Sequence, residues 1–131
     1  IENALDEKIM IDATVPLIPP KVMSVELPKE GSAALKAQSI LGDKTRVVSA
    51  FQNISAELLQ TDTDINCDVL VTGDFIEARD IVISLASDAG LTGWHAGPLS
   101  NSVAAEALTS ILIAINKKHS LAHSGIKITG H

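Results

Sequence analysis

"CDVLVTGDFIEARDIVISLASDAG", residues 67–90, carries the pattern that decides the fold. Its first seven residues are a short apolar run with β-branched members, closed by Gly73, and read as a strand. Asp74 stands where a helix cap belongs, and Glu77 follows three residues on, the spacing of a capping box. Ala78, Ile81, Val82, Leu85 and Ala89 then recur at helical intervals and make one apolar stripe, while Glu77, Asp80, Ser84 and Asp88 point elsewhere. Gly90 is placed to end that helix in a left-handed conformation. A buried strand running straight into an amphipathic helix is the repeating unit of α/β folds.

The same alternation continues on both sides. "KIMIDAT" (8–14) reads as a buried strand. Pro16, Pro19, Pro20 and Pro28 forbid a continuous helix after it, so a long irregular crossing is expected. Residues 32–41 are helix-like and stop at Gly42, and "TRVVSAF" (45–51) reads as a second strand. Residues 52–66 suggest one helical turn and then a loop. "LTGWHAG" (91–97) reads as a weaker strand, and a Gly-Pro turn leads from it into a helix over 102–118. Ala104, Ala107, Leu108, Ile111, Leu112 and Ile115 form the main stripe of that helix, with Val103, Ala105, Ile113 and Ala114 outside it. A helix apolar nearly all round is buried or shared with another chain. Lys117 and Lys118 suit its negative end. "GIKITG" (125–130) reads as a last short strand. The chain opens with "IENALDEKIMIDATVP" (1–16), a helix end running into a strand, which reads as a fragment of a longer protein.

Composition narrows the function. The chain has 131 residues, the size of one domain, and is 46% hydrophobic and 20% charged, enough for a buried core. A formal charge of −6 argues against nucleic acid or an anionic membrane as the main partner. Cys67 is the single cysteine, so no internal disulfide forms, and a cytoplasmic setting is expected. No basic-then-apolar leader is visible. The most apolar run, 111–115, falls far short of the roughly 20 residues that span a bilayer.

Most chemical motifs are missing. The 8 glycines frame neither a G-x-G-x-x-G nor a P-loop pattern. His119 and His123 have the i, i+4 spacing of a metal pair and His131 lies nearby, but Ser120, Ser124 and Gly125 suggest a fraying helix. Solvated histidines and no metal site are expected. Cys67 opens an apolar strand and reads as a buried, inert thiol. The acidic loop "QTDTDINCD" (60–68) lacks the turn glycine and closing glutamate of a calcium loop. No serine sits in G-x-S-x-G. The turn over 97–102 joins a strand end to a helix N-terminus, whose N–H groups can bind a polar or anionic ligand edge or be capped by Ser or Asn.

"VVSAFQNISAELL" (47–59), "CDVLVTGD" (67–74), "AGPLSNS" (96–102), "EALTSILIAIN" (106–116) and "GIKITG" (125–130) occur in that order. Together they resemble the NADP-dependent reductases of the deazaflavin coenzyme F420, over nearly the whole chain but only the distal part of that family. The reductase domains of membrane ferric reductases share a looser version. The resemblance implies an α/β fold in which 1–27 are the end of a Rossmann-type sheet with its crossing loop. Residues 28–131 are then the smaller C-terminal, deazaflavin-side domain of a two-domain reductase. It implies NADP on the first domain, coenzyme F420 in the cleft between the two, and direct hydride transfer between their rings. The Gly-rich fingerprint would precede Ile1.

Because the cofactors carry the reaction, no catalytic side chain is assigned. The resemblance places Thr14, Val15 and Pro16 near the nicotinamide. It puts Gln52, Asn53 and Ile54 on the deazaflavin side, and Gly97, Pro98, Leu99 and Ser100 in the cleft wall. Ala107 and Thr109 would face or support the ring, and Ser124, Gly125 and Ile126 would close the far edge. Alone, this stretch is expected to be inactive without its N-terminal nucleotide-binding part. Val103 stands where many relatives carry Arg, a bidentate partner for carboxylate or phosphate, which leaves open a same-fold NADPH reductase acting on flavin or ferric iron. A non-catalytic dimerisation or regulatory module also stays open. The partner expected of helix 102–118 is a second copy of the chain, with no nucleic acid and no membrane.

Overall fold

A computed structural model describes residues 6–17, 19, 21–61 and 64–130. Along them run β1 (Ile9–Asp12), α1 (Ala33–Leu41), β2 (Arg46–Ser49), α2 (Ala56–Leu59), β3 (Asp68–Gly73), α3 (Ile76–Asp88), β4 (Thr92–His95) and α4 (Ser102–His119). A 3-10 turn, Leu99–Asn101, leads into α4. The strands form one sheet in the order β1-β2-β3-β4. β1 and β2 are parallel, as are β3 and β4, whereas β2 and β3 are antiparallel and pair at Val48–Gly73 and Ser49–Thr72. The two sides of residue 27 therefore share one sheet.

Side chains alternate across the pleat. Val48, Val69 and Val71 face Ala78, Val82 and Ala86 of α3. On the opposite face Val47 meets Ala34 of α1 and Leu99. α4 lies on that second side, against α1 and β3. Helices thus cover both faces of a mostly parallel sheet, the α/β architecture expected.

The antiparallel step sorts the ends of the sheet. The carboxyl ends of β1 and β2 point toward the end of the sheet where Asp68 begins β3, although Ser49 itself pairs with Thr72. Gly73 and the turn after β4 lie at the opposite end of β3 from Asp68. α4 starts there and its 18 residues, about 27 Å of helix, run back along the sheet.

Gly42 ends α1 at φ +74, as read, whereas Ser32, read as the first helical residue, stands just before the helix and caps it, its hydroxyl accepting from the Leu35 N–H at 3.0 Å. Gly90 follows α3 at φ +80.

Tertiary contacts overrule other expectations. Asp74 does not cap α3, which begins after Phe75 with no side-chain cap. Its Oδ1 instead accepts from the backbone N–H of Leu99 at 2.9 Å, tying the strand end to the turn before α4. The buried arc of α3 is Ala78, Val82 and Ala86, and Ile81 and Leu85 are half exposed. Small residues let α3 sit close on the valines, which rotates the helix toward Ile83. Residues 125–130 form no strand; the Ile126 carbonyl takes one bond from the Asp68 N–H at 2.8 Å.

α4 is the largest correction. Its expected stripe faces outward at Ala104, Ile111 and Ile115, while Ser102, Ala105, Glu106, Ser110 and Leu112 are buried. The cause is polar. The first N–H groups of a helix lack partners within it, and α1 finds them in α4. Glu106 accepts from Ala33 N–H at 2.7 Å and from Ala34 N–H at 3.1 Å, one on each carboxylate oxygen. The hydroxyls of Ser32 and Ser102 meet at 2.6 Å. A buried donor left unsatisfied costs about 1–3 kcal/mol, as much as burying an isoleucine gains.

Burial pushes the Glu106 carboxyl above its ordinary value; the Ala33 and Ala34 N–H groups pull it down less, and the Asp12 charge adds upward. The folded state therefore holds this proton to higher pH than the unfolded chain. Its contribution is fully present below the unfolded value and falls as pH rises through the folded one. Glu106→Ala should destabilise the protein by about 1–3 kcal/mol in urea unfolding. Glu106→Gln should abolish this fall, so the stability of wild type relative to Glu106→Gln declines with rising pH across that window.

Candidate functional site

Two segments leave the carboxyl ends of the parallel pair. After β1, Asp12 is buried and its Oδ1 accepts from the Thr14 N–H at 2.8 Å and the Thr14 hydroxyl at 2.6 Å. After β2, Phe51 takes φ +72, a value bulky residues rarely adopt. This strained residue turns the chain off the sheet and sets Gln52, Asn53 and Ile54 side by side.

Internal bonds hold that segment. Gln52 Nε2 donates to the Asp12 carbonyl at 3.4 Å, and it also makes a short bond to Ser49 Oγ. Asn53 Nδ2 donates to the Asp68 carbonyl at 2.8 Å. From α4, the Thr109 hydroxyl donates to the Gln52 carbonyl at 3.1 Å. The Ser124 hydroxyl reaches the Leu112 carbonyl at 3.1 Å.

Asp68 fastens the C-terminal segment beside them. Its buried carboxylate accepts at Oδ2 from the Trp94 indole at 3.0 Å and from the Ile128 N–H at 2.8 Å. With its own N–H on Ile126 and its carbonyl on Asn53, this one residue joins β4, the 52–54 segment and residues 126–128.

Two adjoining depressions open here and share Asn53, Ser55, His123 and Ser124. One, of about 140 Å³, is walled by Leu58, Ile65, Cys67 and Gly125 among others. The second, of about 120 Å³, is walled by Gln52, Ile54, Thr109, Leu112, Ile113 and Asn116. His123 Nε2 stands 3.5 Å from Glu57 Oε2 at the rim. A third, narrow crevice, of about 10 Å³, lies around the first half of α4, between Val103, Glu106 and Ala107 and the Val15–Pro16 segment. Cys67 packs against the core, and burial pushes its thiol up against a smaller lowering by the Ile126 hydrogen bond, so it stays protonated near neutral pH.

Gln52, Asn53, Ile54, Thr109, Ser124 and Gly125 therefore come together in adjoining clefts. Val15, Pro16 and Ala107 gather in the third crevice. Thr14 is engaged by Asp12, and Ile126 by Asp68. Gly97, Pro98, Leu99 and Ser100 sit at the other end of the sheet, because β3 reverses direction relative to β2. There Leu99 is fully buried, and Asn101 Nδ2 donates back to the Ala96 carbonyl at 2.8 Å. Among the described residues no three His, Cys, Asp or Glu side chains gather as a metal site; His131 lies outside them.

Sequence reading assigns no site role to Asn116 or Asp68 and takes His123 for a solvated histidine at a fraying helix end. A polar residue ending an apolar helix and an aspartate opening an apolar strand are the only signals the first two leave.

Gly125 is fixed by close approach: a Cβ there would stand 2.7 Å from the Cys67 Cβ. Gly125→Ala should push residues 124–126 off β3 and cost about 1–3 kcal/mol in urea unfolding. An unchanged midpoint would show that the segment yields freely.

No protein-family profile matches the chain. The chain is 37% identical over 134 residues to the F420-dependent NADP reductase of Methanocaldococcus jannaschii. It is 37% identical over 136 residues to the F420-dependent NADP reductase of Methanothermobacter marburgensis. Each match covers 98% of this chain and 60% of the relative, so the chain spans about 60% of the length of these proteins. A crystal structure from Arthrobacter sp. FB24, described as a candidate F420-dependent NADP reductase, superposes with a TM-score of 0.85 at 21% identity, over 98% of this chain and 60% of that one. A hypothetical protein from Sinorhizobium meliloti superposes with a TM-score of 0.56 at 23% identity, over 76% of this chain and 47% of that one. These two structures establish a shared fold.

Proposed function

We propose that this chain, a homologue of the F420-dependent NADP reductases over nearly its whole length, supplies the deazaflavin side of an oxidoreductase that moves a hydride between NADP(H) and coenzyme F420. One observation carries the reading: Gln52, Asn53, Ile54, Thr109, Ser124 and Gly125, distant in sequence, wall adjoining clefts at the carboxyl ends of β1 and β2. Ligands of open α/β sheets bind outside such strand ends.

The walls fit a flat ring with one polar edge. Ile54, Leu112 and Ile113 offer apolar surface, and the Asn116 Oδ1 is buried in the same wall without a hydrogen-bond partner among the described residues. When both cofactors are bound, the reduced nicotinamide supplies a hydride to the oxidised deazaflavin, which also takes up a proton from solvent. The chain's own task is to bind, orient and exclude water. Gln52 and Asn53 are tied through their side chains, so the wall they form is set before a ligand arrives. No side chain is assigned a proton-transfer role.

Val15 and Pro16 are assigned to the nicotinamide approach; Ala107, expected with Thr109 at the deazaflavin ring, lines the third crevice beside them instead. On this reading residues 1–27 serve the nucleotide side and 28–131 the deazaflavin side, a division of role within one sheet. The pyrophosphate grip is assigned to the part of the relatives that this chain does not span. The chain alone should then bind NADP weakly and be inactive, and the enzyme would be cytoplasmic. The helical stretch Leu99–His119 is long and apolar enough to cross a membrane by length and composition alone. Its buried contacts from Ser102 and Glu106 to α1 favour a packed helix instead.

The full-length protein should bleach the deazaflavin chromophore of F420 in the presence of NADPH. Turnover with flavin or ferric iron alone would reassign the acceptor, an alternative that uncharged Val103 in the third crevice keeps in view.

The outward face of α4 suits a second copy of the chain, since Ile111 is 48% exposed beside Ile115 and Ala104. Ile111→Asp should lower the mass of the protein in solution to that of a monomer. An unchanged mass would remove this face from the assembly.

A further inference from the structure

The last turns of α4 hold Asn116 in the wall of the second cleft, with Thr109, Leu112 and Ile113. Its backbone is pinned. The Asn116 carbonyl accepts from the Leu121 N–H at 2.9 Å and from the N–H of Ser120, which ends the helix in a left-handed conformation at φ +55. Its side chain is the opposite case. Oδ1 is buried and makes no hydrogen bond among the described residues.

Buried polar atoms are nearly always paired, and one left alone costs about 1–3 kcal/mol. Thr72 Oγ1 and Arg79 Nε share this condition, but neither residue lines the two clefts. Among the neighbouring polar side chains, Gln52 bonds Asp12 and Ser49, Asn53 bonds Asp68, Thr109 the Gln52 carbonyl and Ser124 the Leu112 carbonyl, while His123 stands against Glu57 at the rim. None of these bonds reaches Asn116 Oδ1.

We propose that Asn116 selects the ring this cleft accepts, its Oδ1 taking a hydrogen bond from an imide N–H on the edge of a flat heterocycle. The inference rests on the reading of the cleft as the deazaflavin side. The pyrimidinedione edge of a deazaflavin offers such an N–H flanked by carbonyls, and the Asn116 amide can match both, accepting at Oδ1 and donating from Nδ2. Flavins share this edge. The selection is therefore for an unsubstituted imide and not for one ring class over the other.

The test uses the full-length protein and two probes, the deazaflavin chromophore with a free imide N–H and its N-methyl derivative, with Kd read from fluorescence quenching. Wild type should bind the free form about tenfold more tightly, the value of one hydrogen bond. Asn116→Ala, which removes the acceptor and leaves room for the methyl group, should bind both forms alike. Equal binding of the two probes by wild type, or an undiminished preference in Asn116→Ala, would overturn the inference and leave the deazaflavin reading standing. Binding of neither probe by wild type would overturn both. The wild-type comparison needs no variant, so it decides the matter even should the alanine variant fail to fold.

Discussion

The antiparallel pairing of β2 with β3 is the constraint from which the cleft follows. The two strands pair at Val48–Gly73 and Ser49–Thr72 and then part, as Phe51 turns the chain away at a positive φ. Beyond that point no ladder joins them, and Asp68 bridges the gap with side-chain and backbone bonds. Had β3 run parallel to β2, Asp68 would lie at the far end. The depressions walled by Gln52–Ile54 and residues 123–125 are the space left where the strands separate, and α4 walls the second of them.

Polar contacts orient both helices flanking this space. α4 turns Ser102 and Glu106 inward to satisfy the start of α1, although its branched side chains would gain by burial. Asp74 leaves the start of α3 uncapped to hold Leu99. Each case sets an obligatory backbone donor against a hydrophobic gain of similar size, and the donor prevails because water cannot reach it.

Local chemistry was legible where a local residue decides. Gly42 and Gly90 mark helix ends in the sequence itself, and the valines of β2 and β3 mark buried strands. Apolar periodicity failed on α4 because it cannot weigh a carboxylate wanted by a helix some seventy residues away. The capping box at Asp74 failed for the same reason. Of the site, Gln52–Ile54, Thr109, Ser124 and Gly125 do converge. The Gly97–Ser100 turn does not join them, since the direction of a strand is written in its pairing and not in its residues. Asn116 gave no sign, because an unpaired atom becomes visible only in three dimensions.

The link from Glu106 and Ser102 back to α1 also bears on how the protein is made. The bonds span 73, 72 and 70 residues of chain. On a ribosome, α1 emerges with only Ser32 to complete its first turn, and the carboxylate that fixes it is not yet translated. α1 can pack on β2, the next element to emerge, through Ala34 and Gln38, but its first N–H groups are satisfied late, once α4 has left the exit tunnel.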